Sequence, residues 1–220
     1  MKIYAHRGFS YKFSEATLAA YEGAIEVGAD GLECDVRLTK DDIPVCFHDR
    51  NTKRIAGVQK RVAALTLKEL REITEVLTLE ELLELASKAK QEVLVETKHP
   101  VLSGGRVEKI LLSFANRYKF TAMSFSLLAV LRLKRNIEDV AYVVARRWRL
   151  LFIPTKKVAV DIELFAKSPW ARKRLANKEV LLWTVNDTQQ LSHFKQSGIK
   201  GIITDRPDLR AEIEEILGKE

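Results

Sequence analysis

The chain has 220 residues, 46% hydrophobic and 30% charged, with 37 Lys and Arg against 30 Asp and Glu and a formal net charge of +7. That length suits one α/β barrel or two small domains, and most of its surface can be buried without a disulfide or structural metal. Cys34 and Cys46 are the only cysteines, which argues against a disulfide framework or a Cys-rich zinc site. The basic balance is compatible with an anionic ligand, nucleic acid or a lipid surface, and equally with a solvated Lys/Arg/Glu exterior.

The segment from Met1 to Gly8 has no apolar core of a signal peptide, and no stretch approaches the ~20 apolar residues of a membrane span. A cytoplasmic protein is therefore expected. No linker or shift in composition divides residues 1–220, so one domain is expected. In chain order, short apolar runs predict strands at Ile3–Ala5, Gly31–Val36, Val93–Glu96, Thr121–Ser124, Ala141–Val144, Val158–Val160, Val180–Thr184 and Gly201–Thr204. Several are continuous β-branched runs, as strands buried on both faces should be. Helices lie between them. Thr66-x-x-Glu69 and Thr78-x-x-Glu81 are capping boxes, the second opening Leu79, Leu82, Leu83, Ala86 and Ala89 at helical spacing. Asp187 stands where an N-cap would, and Pro207 is placed as the first residue of a last helix.

Eight strands alternating with helices predict a (β/α)8 TIM barrel; an open doubly wound sheet would not need the eighth and lacks a Gly-rich dinucleotide turn here. The second and third strands start about sixty residues apart, so a small hairpin and helix insertion is expected after strand two. Leu38–Val45 reads as a turn between extended arms. Folding it about Asp41-Asp42 would make paired positions sum to 83 and set His48 opposite Asp35.

Ionisable side chains gather at the predicted carboxyl ends of these strands. His6 and Arg7 end the first, Glu33 and Asp35 share a face of the second, and Glu96 and Lys98 do the same on the third. His48-Asp49 closes the hairpin. In a barrel these ends form one rim, where catalytic groups collect. Three carboxylates facing one space repel unless a cation joins them, and an all-oxygen set suits Mg²⁺, Ca²⁺ or Mn²⁺ better than zinc. Two imidazoles could then supply a base and an acid, while Arg7 and Lys98 match phosphate oxygens. Gly8 allows close backbone approach. Cys34 points away from Glu33 and Asp35 and reads as packing. Each piece alone is weak, since a lone His-Arg-Gly or Glu-x-Asp is more often structural; their joint placement shifts the balance.

Taken together, Ala5-His6-Arg7-Gly8, Glu15-x-Thr17, Gly28-Ala29-Asp30-Gly31-x-Glu33-x-Asp35-Val36 and Pro44-Val45-x-x-His48-Asp49 resemble the glycerophosphodiester phosphodiesterase family. The likeness continues through Val95-Glu96-Thr97-Lys98, Trp183-Thr184-Val185-Asn186 and Gly201-Ile202-Ile203-Thr204-Asp205-Arg206-Pro207, almost the whole chain, with the middle from Leu102 to Glu179 unspecific. The resemblance implies His6 and His48 as the acid/base pair, Glu33, Asp35 and Glu96 as ligands of a divalent cation, and Arg7 and Lys98 as phosphate contacts. It implies Glu15 in the support of the site or in the metal shell, and Trp183 as an aromatic wall beside the glycerol moiety, although Trp183 equally suits a core aromatic. Two departures stand out. Ser14-Glu15-Ala16-Thr17 replaces the usual Pro-Glu-Asn-Thr, and Ser124-Phe125-Ser126 departs from the family's pattern at its third residue.

The resemblance also implies the reaction: hydrolysis of a small glycerophosphodiester to a glycerol phosphate and an alcohol, with the glycerol 2-hydroxyl as first nucleophile. A lysophospholipase-D-like activity on lipids is the rival within the enzymes. It is motivated by Arg146-Arg147-Trp148-Arg149-Leu150-Leu151-Phe152, but the i, i+3, i+4 spacing of Trp148, Leu151 and Phe152 argues more strongly for a helix packed on the barrel. Surface contact with lipid is compatible with that segment, whereas no recognised motif supports nucleic-acid binding. A catalytically silent phosphate-binding barrel would be marked by a missing histidine or carboxylate, and none is missing. A zinc amidohydrolase would want a His-x-His strand end.

Overall fold

The structure, a computed structural model, describes residues 1–99, 104–194 and 198–217. Its centre is a closed ring of eight parallel strands. In spatial order these are β1 (Lys2–His6), β9 (Ile199–Thr204), β8 (Glu179–Trp183), β7 (Lys157–Asp161), β6 (Val140–Val144), β5 (Thr121–Ser124), β4 (Glu92–Thr97) and β2 (Gly31–Leu38). Closure comes from β1, which pairs with β2 through Tyr4, Ala5 and His6 and with β9 through Lys2 to Ala5. A ring has no edge strand, so the doubly wound alternative is excluded. The remaining strand, β3 (Pro44–Cys46), runs antiparallel to the end of β2, beyond the ring.

Alternation along the strands divides the core in two. Outward-facing residues such as Ile3, Leu32, Cys34, Val95 and Val158 pack under the surrounding helices. Inward-facing Leu94, Met123, Ala141, Val143, Ala159, Leu181 and Ile203 fill the barrel above the Tyr4 ring. Gly31 and Gly201 make room for that ring: a Cβ added to either would meet it at 2.7 or 3.0 Å. The apolar filling stops short of the carboxyl ends of the strands, where the next inward residues are Glu33, Asp35 and Glu96.

Both capping boxes form as the sequence predicts. Thr66 and Thr78 accept from the backbone of Glu69 and Glu81, which reach back to the threonine backbones, opening α3 (Leu67–Arg71) and α4 (Leu79–Lys88). Asp187 does cap its segment, accepting from Gln189 N at 3.0 Å, but Thr188–Phe194 is a 3₁₀ helix. Pro207 likewise opens a 3₁₀ turn, Pro207–Leu209, before α9 (Arg210–Leu217).

The insertion after β2 is present, with a small core of its own formed by Val45, Phe47, Val62, Leu65, Leu70 and Val76. Its hairpin register differs from expectation by one residue. Val36 faces Cys46 and Leu38 faces Pro44, so paired positions sum to 82. The cause is the turn: Thr39 N donates to Ile43 O across a loop of three residues, with Asp42 in the left-handed region at φ 61°. Asp41, the loop's centre, is held by the Thr39 hydroxyl and the Leu67 amide. Phe47, not His48, therefore lies opposite Asp35, donating to its carbonyl at 2.8 Å.

A second expectation fails at Trp148, Leu151 and Phe152. Arg147–Leu151 is a short 3₁₀ helix that buries only Leu150, and the other three side chains stand in solvent. With about three residues per turn, positions 148 and 151 eclipse one another on the outward side.

Candidate active site

The carboxyl ends of β1, β2, β4, β8 and β9 and the start of the insertion bring the predicted residues to one rim. Glu33, Asp35 and Glu96 are buried, and each offers an oxygen within 4.8 Å of the others. β2 and β4 pair in register, with Asp35 beside Glu96, so this proximity follows from the ladder itself. Burial, with Asp35 and Glu96 as neighbours, pushes the Glu33 carboxyl well above its ordinary range. Burial and Asp35 likewise bring Glu96 to about 7. Asp35 moves the other way despite burial, because Lys98 and Arg7 hold it ionised. Lys98 Nζ lies 2.7 Å from Asp35 Oδ1 and 2.5 Å from Glu96 Oε1, and Arg7 Nε lies 2.8 Å from Asp35 Oδ2.

Arg7 reaches that place from a left-handed backbone (φ 56°) anchored by bonds from its amide to Glu33. The following Gly8 (φ 82°) is required by contact, since a Cβ there would lie 2.6 Å from the Ala20 carbonyl carbon of α1 (Leu18–Glu26). Arg7 also binds Glu15 at 3.1 Å, and Glu15 is gripped from its other side by Arg54 through two 2.7 Å bonds. Glu15 is thus engaged by two guanidiniums and stands apart from the three clustered carboxylates. Ala16 stands at φ 58°, a left-handed position that asparagine tolerates better than alanine, so the backbone accounts for the asparagine expected there and not for the alanine present.

Each histidine is tied at Nδ1 to a carboxylate. His6 Nδ1 lies 2.6 Å from Asp205 Oδ1 and its Nε2 lies 4.0 Å from Glu33 Oε2. His48 Nδ1 lies 2.8 Å from Asp49 Oδ1. A carboxylate only accepts, so both rings carry the Nδ1 proton and leave Nε2 free for exchange. Asp205 is itself held by Asn186 Nδ2 at 2.6 Å and lies 3.0 Å from the Ser10 hydroxyl; against the cost of burial, His6 and these donors lower its carboxyl to about 2. Arg54 Nε binds Asp49 Oδ2 at 2.7 Å, and Arg37 Nε donates to the His48 carbonyl at 2.8 Å. Burial lowers the His48 imidazole from its ordinary value and so favours its neutral form.

Trp183 ends β8 and packs edge-to-face on Phe125 at 5.5 Å, and Phe125 lies 5.9 Å from Lys98 Nζ. The indole N–H is buried and has no hydrogen-bond partner among the described residues. Ser124 and Ser126 are spent on structure: the Ser124 hydroxyl donates to Thr97 O, and Ser126 caps α6 (Leu127–Leu133).

Sequence reasoning assigned no role to Asp205, Asn186, Ser10 or Arg54. Asp205 and Asn186 lay inside quoted motifs, and a carboxylate one residue past the last strand was a readable sign. Ser10 and Arg54 carried none, because their partners Asp205 and Glu15 lie 195 and 39 residues away.

These features define a barrel enzyme whose rim joins three carboxylates, two oriented imidazoles and two cations suited to phosphate. Residues 6–209 match the model of the glycerophosphoryl diester phosphodiesterase family. A Mycobacterium tuberculosis protein named probable glycerophosphodiester phosphodiesterase 1 is 32% identical over 93% of this chain and 89% of its own length. A glycerophosphodiester phosphodiesterase from Caldanaerobacter subterraneus is 25% identical, with 94% of each chain covered. The crystal structure of a glycerophosphodiester phosphodiesterase from Thermotoga maritima superposes with a TM-score of 0.85 at 27% identity, covering 96% of this chain and 97% of that one. The chain belongs to the glycerophosphoryl diester phosphodiesterase family.

Proposed function

We propose that the chain hydrolyses small glycerophosphodiesters to a glycerol phosphate and an alcohol, with His6 and His48 exchanging the protons and Glu33, Asp35 and Glu96 holding a divalent cation. The observation that carries this reading is the pair of Nδ1-anchored imidazoles flanking three buried carboxylates. An oxygen-only donor set with raised Glu33 and Glu96 carboxyls fits a hard cation, Mg²⁺, Ca²⁺ or Mn²⁺. Such a cation supplies Lewis acidity toward a phosphoryl oxygen and offsets the charge that develops in the transition state.

The protein groups have separable tasks. Arg7 and Lys98 present guanidinium and ammonium donors to the phosphate oxygens. One imidazole, neutral in that step, takes the proton of the attacking hydroxyl at Nε2; the other, protonated on both nitrogens in that step, gives its Nε2 proton to the departing alkoxide, so the alcohol leaves neutral. Addition of water across the phosphorus–oxygen bond balances the overall reaction. Glu15 keeps Arg7 aimed, and Arg54 joins Glu15 to Asp49 and thereby to His48. Trp183 and Phe125 form an apolar wall for the carbon skeleton, with the unpartnered indole N–H as a donor for a substrate hydroxyl.

The test is a release assay over a panel of glycerophosphodiesters, including glycerophosphocholine and its long-chain lyso form, with EDTA and metal add-back. Release of glycerol phosphate that vanishes in EDTA and returns with one of the three cations is expected. Full turnover after exhaustive chelation would overturn the metal assignment, and no turnover on any member would overturn the activity.

A further inference from the structure

The 3₁₀ turn after β6 has no part in the site described above, yet among the described residues it carries the most exposed cluster of large apolar side chains. Trp148, Leu151 and Phe152 are 61%, 69% and 57% exposed. On α6, which begins two residues beyond Phe125, Leu128 is exposed as well. The turn is firmly held from below: Leu150 is buried, Arg149 donates to the Phe125 carbonyl, and Arg174 donates to the Leu150 and Leu151 carbonyls at 3.3 Å. A rigid base under three exposed apolar side chains is unlike a loose surface loop. It stands at the carboxyl end of its strand, on the same rim of the barrel as the site.

Charge identifies the occupant. Arg146, Arg147 and Arg149 frame the protrusion, and among the described residues none of them pairs with a carboxylate. Arg147 and Arg149 lie on the rings of Trp170 and Trp148 instead. Behind them α8 (Pro169–Leu175) adds Arg172, Lys173 and Arg174. Along the sequence, residues 125–178 hold 13 Lys and Arg against 4 Asp and Glu, a surplus of +9 that exceeds the +7 of the whole chain, although Lys156 and Lys157 are paired with Glu179 and Asp139 away from this turn. The rest of the molecule is slightly acidic. A second copy meeting this face would set arginine against arginine. Nucleic acid would satisfy the charge, but it leaves aliphatic Leu151 without a stacking role. A bilayer surface satisfies both: Trp and Phe settle at headgroup level, Leu enters the acyl boundary, and guanidiniums remain with anionic phosphates.

We propose that Trp148, Leu151 and Phe152, framed by Arg146, Arg147 and Arg149, form a docking surface for anionic phospholipid membranes, which turns the active rim toward the bilayer. The surface acts as a peripheral anchor. Its binding is measured without turnover, so it stands or falls separately from the hydrolysis proposed above.

The experiment is co-sedimentation of the full chain with vesicles of phosphatidylglycerol and phosphatidylcholine, or of phosphatidylcholine alone, at about 0.1 M and about 1 M salt, where the screening length falls from roughly 10 to 3 Å. Binding to the anionic vesicles at low salt is expected, at least tenfold weaker on neutral vesicles or at high salt. The Trp148→Ser/Leu151→Ser/Phe152→Ser variant and the Arg146→Glu/Lys173→Glu variant should each weaken binding at least tenfold. Both should keep the parent's melting temperature and its activity on a soluble glycerophosphodiester. Trp148→Phe keeps an aromatic ring and should still bind, while losing most of the vesicle-induced blue shift in fluorescence. The proposal is overturned if the parent ignores anionic vesicles or if the triple serine variant binds as the parent does. It is also overturned if duplex DNA or RNA binds tightly at this face and displaces the vesicles. Should the triple variant fold poorly, single Phe152→Ser takes its place, and binding as tight as the parent's overturns the proposal in the same way.

Discussion

Replacing Asp205 by Asn separates a carboxylate that orients His6 from one that merely stabilises the rim. The substitution keeps the shape and removes the charge that His6 Nδ1 and Asn186 address. The fall of the Asp205 carboxyl from 3.8 to about 2 corresponds to about 2.4 kcal/mol before solvent screening. Its side chain is 30% exposed, so about 1 kcal/mol is the expected loss of stability at neutral pH. A carboxyl lowered on folding contributes stability that is present above its unfolded value and disappears as pH drops through its folded one. Denaturant unfolding between about pH 4 and about 2 should therefore show a loss in the parent that Asp205→Asn lacks. The kinetic effect should be much larger. An amide can donate as well as accept, so it no longer dictates which His6 nitrogen carries the proton. On the general acid–base scale kcat should fall about 10²- to 10³-fold with KM little changed. Steady-state kinetics on glycerophosphocholine measure this directly. If Asp205→Asn loses stability as described yet keeps kcat within threefold, His6 does not exchange the proton through an Asp205-oriented Nε2, and the reasoning fails.

Among the described residues no Lys or Arg side chain forms an ion pair with Glu33, and its raised carboxyl costs stability when ionised, a cost present at high pH and relieved as pH falls. Glu33→Gln should therefore melt in EDTA at or above the parent's temperature while losing most of the Tm gain that added metal gives the parent; a variant that melts well below the parent yet keeps its metal response would refute the cation site. His6→Ala and His48→Ala should each lose about 10²–10⁴-fold in kcat. His99→Ala, which removes an imidazole 3.6 Å from Glu108 and outside the rim cluster, should stay within a few-fold. Equal damage from His99→Ala would show that the role assignment is wrong. Gly8→Ala places a Cβ 2.6 Å from backbone of α1 at a positive φ, so Tm should fall by about 4–8 °C, for a cost of about 2 kcal/mol; an unchanged Tm would mean that the β1–α1 approach is not tight.

Local pattern alone determined much of this protein. Capping boxes at Thr66 and Thr78 read out because their partners lie three residues away, within the reach of one helical turn. Buried parallel strands read out because hydrophobic runs such as Val93–Val95 and Val158–Val160 serve both barrel faces. Glu33 and Asp35 were predicted to share a face because strand geometry repeats every two residues, and barrel topology then set Glu96 beside them. Tertiary structure decided what depends on distant or one-residue-precise contacts. A three-residue turn shifted the hairpin so that Phe47 opposes Asp35, and apolar spacing could not distinguish a 3₁₀ turn that exposes Trp148, Leu151 and Phe152 from a helix that buries them. The Asp205–His6 pair spans 199 residues and the Arg54–Glu15 pair spans 39. Such pairs carry no local signature, because their proximity arises only when the barrel closes through β1 and the insertion folds back on the rim.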